Sequence, residues 1–169
     1  MNDALVPVKS DESRDKLIQL VSFNLGVEEY GVDVLKVREI IRMPIVTRVP
    51  NTPHYVEGVI NLRGKVIPVV DLRLKFGLQE VEYTARTCII VVQIQGPDSV
   101  SLTGIVVDEV SEALNIAAGE IEDTPDFGDG AATPYILGMA KSKGKVKILL
   151  DIDRVLQAQE IDGLKSMLQ

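Results

Sequence analysis

Few residues in this chain have the types and spacing that chemistry requires. The one histidine, His54, is flanked by Pro53 and Tyr55, which is a loop context. A lone histidine builds no His/Cys cluster for zinc, leaves little room for a Ser-His-Asp triad, and is not accompanied by a G-x-S-x-G elbow. The one cysteine, Cys88, lies inside the apolar run Cys88–Val92 and reads as a core filler, not a nucleophile. The stretch Gly58-Val-Ile-Asn-Leu-Arg-Gly64-Lys65 looks superficially like a phosphate loop. It has one residue too many between its glycines, and Val66 stands where a magnesium-binding Ser or Thr is needed. Asp151 and Asp153 are too few for a calcium loop. No nucleophile, base and oxyanion donor assemble, so the reading is a non-enzyme without cofactor or metal.

Other residues suit turns, caps or contacts. Gly64 and Gly144 stand where tight turns need positive φ. Asp71 and Asp151 each precede a short helical segment, and an N-cap role is favoured over a metal or acid–base role. Arg63, just before Gly64, is either a solvated turn cation or a hydrogen-bonding fork for a partner's carboxylate or carbonyl. Lys143 occupies the matching place before Gly144. Val37, Glu39 and Ile41 share one face of an expected strand. They are either two core residues with Glu39 at the rim, or an apolar patch with one charge, as a protein interface has. Pro68 inside a strand pattern implies an edge or a bulge.

The elements that carry these residues have period two. Val21, Phe23 and Leu25 alternate with Ser22 and Asn24; Cys88, Ile90, Val92 and Ile94 share one parity; Val146, Ile148 and Leu150 alternate with Lys145 and Lys147. Such alternation marks strands with one buried face, and the frequent Gly and Pro between them indicate an all-β barrel or sandwich. Leu72–Phe76 and Ile152–Leu156 read as single helical turns, and Ile161, Leu164 and Leu168 suggest a C-terminal amphipathic helix over 157–169.

An internal repeat organises the chain. Tyr55, Gly58, Gly64, Lys65-Val66 and Asp71 recur 80 residues later as Tyr135, Gly138, Gly144, Lys145-Val146 and Asp151. A weaker echo, 73 residues apart, links Gly31 to Gly104, Val37 to Val110 and Glu39 to Glu112. Two similar β units are implied, each too small to bury its surface well alone. They should pack together, share a core and leave a groove between them as the default binding surface.

Composition bounds the rest. The 169 residues suit one compact domain or two small subdomains, and 46% hydrophobic residues suffice for a core. A net charge of −7 argues against nucleic acid, which needs a basic face. The longest apolar runs are about five residues, against roughly 20 for a membrane span. Residues 1–16 read as a disordered leader and not a signal peptide, and the single cysteine fits the cytosol.

From Glu29-Tyr30-Gly31-Val32-Asp33 through Val37-Arg38-Glu39-Ile40 the sequence resembles the CheW family, the coupling proteins of bacterial chemotaxis. The resemblance continues in Val46-Thr47-Arg48-Val49-Pro50-Asn51-Thr52-Pro53, Asn61-Leu62-Arg63-Gly64, Ile67-Pro68-Val69-Val70-Asp71, Gly104-Ile105-Val106-Val107-Asp108 and Pro125-Asp126-Phe127, and spans roughly Leu17 to Leu156. It implies two packed, interleaved SH3-like five-stranded β-barrels over 17–156. It also implies an adaptor that binds the cytoplasmic tip of methyl-accepting receptors and the regulatory domain of the histidine kinase CheA in ring-forming arrays. By resemblance, Glu39, Arg63 and Gly64 match receptor-binding positions. Val34, Val37 and Gly58 match kinase-contact positions, with Phe127 in a loop of the ring's other interface. The chain departs from the family there: Glu122 and Asp123 stand where a basic residue is frequent. Neither an ATP-binding module nor a receiver domain accompanies it, so it reads as the free-standing form. A small-ligand sensor with a metabolite in the inter-barrel groove is the alternative.

Overall fold

A computed structural model describes residues 16–125, 135–142 and 144–156. The expected leader (except Lys16), the expected C-terminal helix, Phe127 and Lys143 lie outside the described residues. The strands are β1 (Leu17–Leu25), β2 (Glu28–Asp33), β3 (Val37–Arg42), β4 (Val56–Leu62), β5 (Lys65–Asp71), β6 (Cys88–Gln95), β7 (Val100–Val107), β8 (Glu109–Ala117), β9 (Ile121–Glu122), β10 (Ile136–Ser142) and β11 (Lys145–Leu150). The helical turns α1 (Leu72–Lys75) and α2 (Ile152–Val155) fall on the two segments expected from sequence.

The strands form a six-stranded sheet, β8-β1-β2-β11-β10-β9, and a five-stranded sheet, β3-β6-β7-β5-β4. Each sheet curls into a barrel. In the five-stranded sheet the chain leaving edge strand β3 returns along the other edge, where Thr47 and Val59 of β4 exchange N–H···O bonds of 2.9 and 2.8 Å. In the six-stranded sheet the chain leaving β8 does the same through β9, which pairs with Met139 of β10. Val59 and Met139 are themselves 80 residues apart.

The duplication extends to individual hydrogen bonds. Asp71 N donates to Tyr55 O at 2.7 Å, and Asp151 N to Tyr135 O at 2.8 Å. Both aspartates are N-caps: Asp71 accepts from the Arg73 and Leu74 amides, and Asp151 from the Arg154 amide. Such caps contribute about 1 kcal/mol each. The hairpins β4–β5 and β10–β11 carry a register shift at the same place, before Gly58 and Gly138.

Sequence distance hides how the barrels are built. The second barrel is one run, Val37–Val107, set between the pieces Leu17–Asp33 and Glu109–Leu150 that make the first. The weaker repeat therefore relates strands that cross between barrels, β2 into β3 and β7 into β8. Paired charges pin these crossovers. Asp108, between β7 and β8, accepts from Arg73 Nη1 of α1 and from Gly26 N of the β1–β2 turn, both at 2.6 Å. Asp153 of α2, at the position equivalent to Arg73, accepts from Lys36 Nζ at the other crossover at 2.6 Å and from Gln95 N at 2.9 Å. The two clamps match in place, with the signs of the charges exchanged.

The central core lies between the barrels and draws on both sheets: Val21, Phe23 and Leu25 from β1, Ile90, Val92 and Ile94 from β6, and Ile152 and Val155 from α2. Two strands differ from the one-sided burial that alternation predicts. On β1, Leu20 and Ser22 are buried as well, and on β6 so are Ile89 and Val91. Their second faces line the barrel interiors, so the strands sit between two cores. On β11 the expected pattern is reversed in part: Val146 is 47% exposed and Lys147 only 4%. Lys147 is turned inward by two partners, the buried Ser22 and the part-buried Glu29. Pro68 is not on an edge strand, since β5 lies between β7 and β4. The register pairs with β7 begin one residue later, at Val69, and the bulge is in the partner strand β4.

Candidate binding surface

The turn between β4 and β5 consists of Arg63 and Gly64 alone, because Leu62 and Lys65 are register partners. A two-residue hairpin loop of the I′ kind needs positive φ at both positions, and Arg63 (φ 51°) and Gly64 (φ 84°) supply it. Asn61 Oδ1 accepts from Gly64 N at 2.8 Å and braces the turn. Sequence reading anticipated Gly64 but not the left-handed Arg63. The signal was the loop length, since a two-residue hairpin loop commits both residues.

From this turn Arg63 reaches Glu39 on β3. Nη1 donates to Oε1 at 3.2 Å, and Nη2 to Oε2, so the guanidinium forks both carboxylate oxygens. In the strand order β3 and β4 are opposite edges, and only the curl of the barrel brings them face to face. Of the two readings of Arg63, solvated turn cation or fork for a partner's carboxylate or carbonyl, the structure shows a fork engaged by this chain's own Glu39, with Arg63 largely exposed at the rim. Glu39, Arg63 and Gly64 come together in one place.

The other site residues from the resemblance sit elsewhere. Val34 lies in the 3-10 turn Val34–Lys36, and Val37 opens β3; both are half-buried against the central core. Between them Leu35 is 80% exposed. Gly58 is buried on β4 with φ 145°, and a Cβ there would sit 2.0 Å from Thr47 O. Phe127 lies outside the described residues. The expected shared face of Val37, Glu39 and Ile41 is broken by a register shift between Val37 and Glu39. A bulge adds a residue and turns the strand, so Val37 packs on the central core and Ile41 on the interior of the second barrel. The exposed apolar side chains near the rim are instead Ile40 on β3, Ile45 just beyond it and Val66 beside the turn.

Other ionisable groups are engaged within the fold at Asp71, Tyr83 and Lys75. Burial pushes the Asp71 carboxyl above its ordinary value, against the pull of its amide donors and of Tyr83, whose hydroxyl donates to Asp71 Oδ2 at 3.2 Å. Burial, then the carboxylates of Glu57 and Asp71, push the Tyr83 phenol up. His54 stacks edge-on against Tyr55, and Lys75 Nζ lies 4.3 Å over the Tyr55 ring. A cavity of about 290 Å³ in the inter-barrel groove is lined by Tyr30, Lys75, Phe76, Tyr135 and Ile148. Among the described residues no group of three or more His, Cys, Asp or Glu is placed to hold a metal ion. No helix among them is long and apolar enough to cross a membrane.

The described fold is thus two interleaved barrels with a braced ion pair at one rim. The model of the CheW-like domain matches residues 19–160, and the chain belongs to that family. It is 41% identical to the chemotaxis protein CheW of Klebsiella aerogenes over 143 residues, covering 85% of this chain and 84% of the relative. It is 34% identical to the chemotaxis protein CheW of Rhizobium meliloti, covering 84% and 89%. The crystal structure of the scaffolding protein TtCheW from Thermoanaerobacter tengcongensis superposes with a TM-score of 0.75 at 33% identity, covering 86% of this chain and 91% of that one.

Proposed function

We propose that the chain is a non-enzymatic adaptor joining the cytoplasmic tip of methyl-accepting chemotaxis receptors to the regulatory domain of the histidine kinase CheA in receptor arrays. The observation that carries this reading is the Glu39–Arg63 fork, held by a braced turn at an exposed rim beside Ile40, Ile45 and Val66. A rim with a central charge pair and exposed aliphatic neighbours suits a protein partner. Glu39, Arg63 and the Gly64 turn form the receptor contact. The kinase contact is the crossover Val34–Val37, where the two half-buried valines hold Leu35 out, together with the β4 edge shaped by Gly58 and with Phe127, which lies outside the described residues. Signalling through such an adaptor needs no reaction. It needs only a better fit to one kinase conformation than to another, because differential affinity shifts the equilibrium.

The test is capture of the chain by a receptor-tip fragment and, separately, by the kinase regulatory domain. Arg63→Ala is expected to weaken receptor capture, keep kinase capture and leave the circular dichroism spectrum unchanged. Undiminished receptor capture by that variant would remove the reading.

A further inference from the structure

The first barrel encloses a polar cluster that the contact surfaces do not use. Lys147 and Ser22 are 4% and 0% exposed. Lys147 Nζ donates to Ser22 Oγ at 3.3 Å and is ion-paired with Glu29, its register partner across the parallel β2–β11 junction. The duplication identifies the counterparts of these three residues. Leu149 pairs with Gly31 as Val69 pairs with Gly104, and Ser22 pairs with Gly31 as Val91 pairs with Gly104. Lys147 therefore corresponds to Ile67, Ser22 to Val91 and Glu29 to Leu102. In the second barrel those counterparts are part of one apolar cluster. The same interior position is filled by a charge pair in one barrel and by aliphatic side chains in the other.

Stability does not explain the difference, because apolar residues of similar volume usually serve a buried position as well as an ion pair or better. Pairing choice does. The hairpins β4–β5 and β10–β11 share a positive-φ glycine before their second strand, their register shift and the aspartate cap that follows. Each joins its sheet through a short parallel ladder of three register pairs, β5 on β7 and β11 on β2. The two ladders share the equivalent pairs Leu149–Gly31 and Val69–Gly104; from there that of β11 runs back to Lys147 and that of β5 on to Asp71. The side chains discriminate: β11 laid on β7 would bury Lys147 against Leu102 and Val91, and β5 laid on β2 would leave Glu29 facing Ile67. The first error buries the Lys147 ammonium away from its carboxylate; the second takes Lys147 away from Glu29, whose side chain is 22% exposed. We propose that Lys147, Glu29 and Ser22 act as a pairing key that assigns the two equivalent hairpins to their own barrels.

The experiment uses the full chain with Lys147→Ile, Glu29→Leu and Ser22→Val, singly and together, and reads equilibrium urea unfolding and the species recovered on refolding. Glu29→Leu alone, which strands the buried Lys147 ammonium, is expected to lower the folding constant on the order of 10²–10³-fold, and Lys147→Ile, which leaves the part-exposed Glu29, to lower it less. The triple variant is expected to regain the wild-type midpoint, yet to refold into a mixture whose oligomeric fraction, by size exclusion with light scattering, rises with protein concentration. Recovery of the triple variant as a single species at wild-type yield would overturn the proposal, as would single variants of wild-type stability. Should the triple variant not fold, the exchanged pair Lys147→Glu with Glu29→Lys decides. It keeps a complementary key and is expected to refold to one species at wild-type yield; a mixture from it would overturn the proposal.

Discussion

Substituting Gly58 tests how much of a presumed contact residue is architecture. Its φ of 145° is reached almost only by glycine, and an added Cβ would lie 2.0 Å from Thr47 O and 2.8 Å from Thr47 C. That carbonyl is one of the two groups closing the second barrel on β4. Backbone strain of this kind costs about 1–3 kcal/mol and an unrelieved clash about 1–3 kcal/mol more. Because the obstacle is backbone, the upper part of the range applies, about 4–6 kcal/mol. Gly64→Ala is the control. Its φ is 84° with nothing within 4 Å of the added Cβ, so only the left-handed penalty of about 1–2 kcal/mol applies. At roughly 2–4 °C per kcal/mol for a domain of this size, Gly58→Ala should lower the melting midpoint by roughly 8–24 °C and Gly64→Ala by roughly 2–8 °C. Differential scanning calorimetry measures both. A Gly58→Ala protein that melts no lower than Gly64→Ala would refute the reasoning. It would also return Gly58 to the list of direct contacts.

Burial raises the Asp71 carboxyl above its ordinary value of 3.8. A raised folded-state value means that Asp71 favours the fold below pH 4 or so and loses that contribution as pH rises through the folded value. The urea midpoint of wild type should therefore fall relative to Asp71→Asn as pH rises from the acid side to neutrality, and a gap independent of pH would contradict this. Arg73→Ala removes a part-buried clamp to Asp108 and should cost about 1.5–3 kcal/mol. Arg63→Ala, at an exposed rim, should cost under about 1 kcal/mol; urea denaturation ranks the two. Arg63→Gly also relieves the positive φ of Arg63, so its midpoint should equal or exceed that of wild type while receptor capture is lost.

The parts of the fold legible in the sequence are the local ones. A glycine at 64 or 144 is read directly as a turn, an aspartate before Leu72 or Ile152 as a cap, and the 80-residue repeat as two like units. What the repeat could not show is which strands belong together, because β3 and β8 join the barrel opposite to the strands that precede them. Alternation along β1 and β6 suggested one buried face because a period-two pattern reports side-chain character. It does not report how many cores a strand separates. Lys147 looked solvated because nothing local reveals Glu29, which is distant in sequence and adjacent in the sheet. The Glu39–Arg63 fork was invisible for the same reason: the two residues meet only when the sheet curls. Family likeness named both residues, but only the fold explains why they act as a pair.

The most direct measurement mixes the full chain with a receptor-tip fragment and the kinase regulatory domain and weighs the species by size exclusion with light scattering. The account predicts a complex containing all three, absent when the chain is omitted and lost with Arg63→Ala. Two partners that displace one another from the chain, or a chain that binds neither, would contradict it.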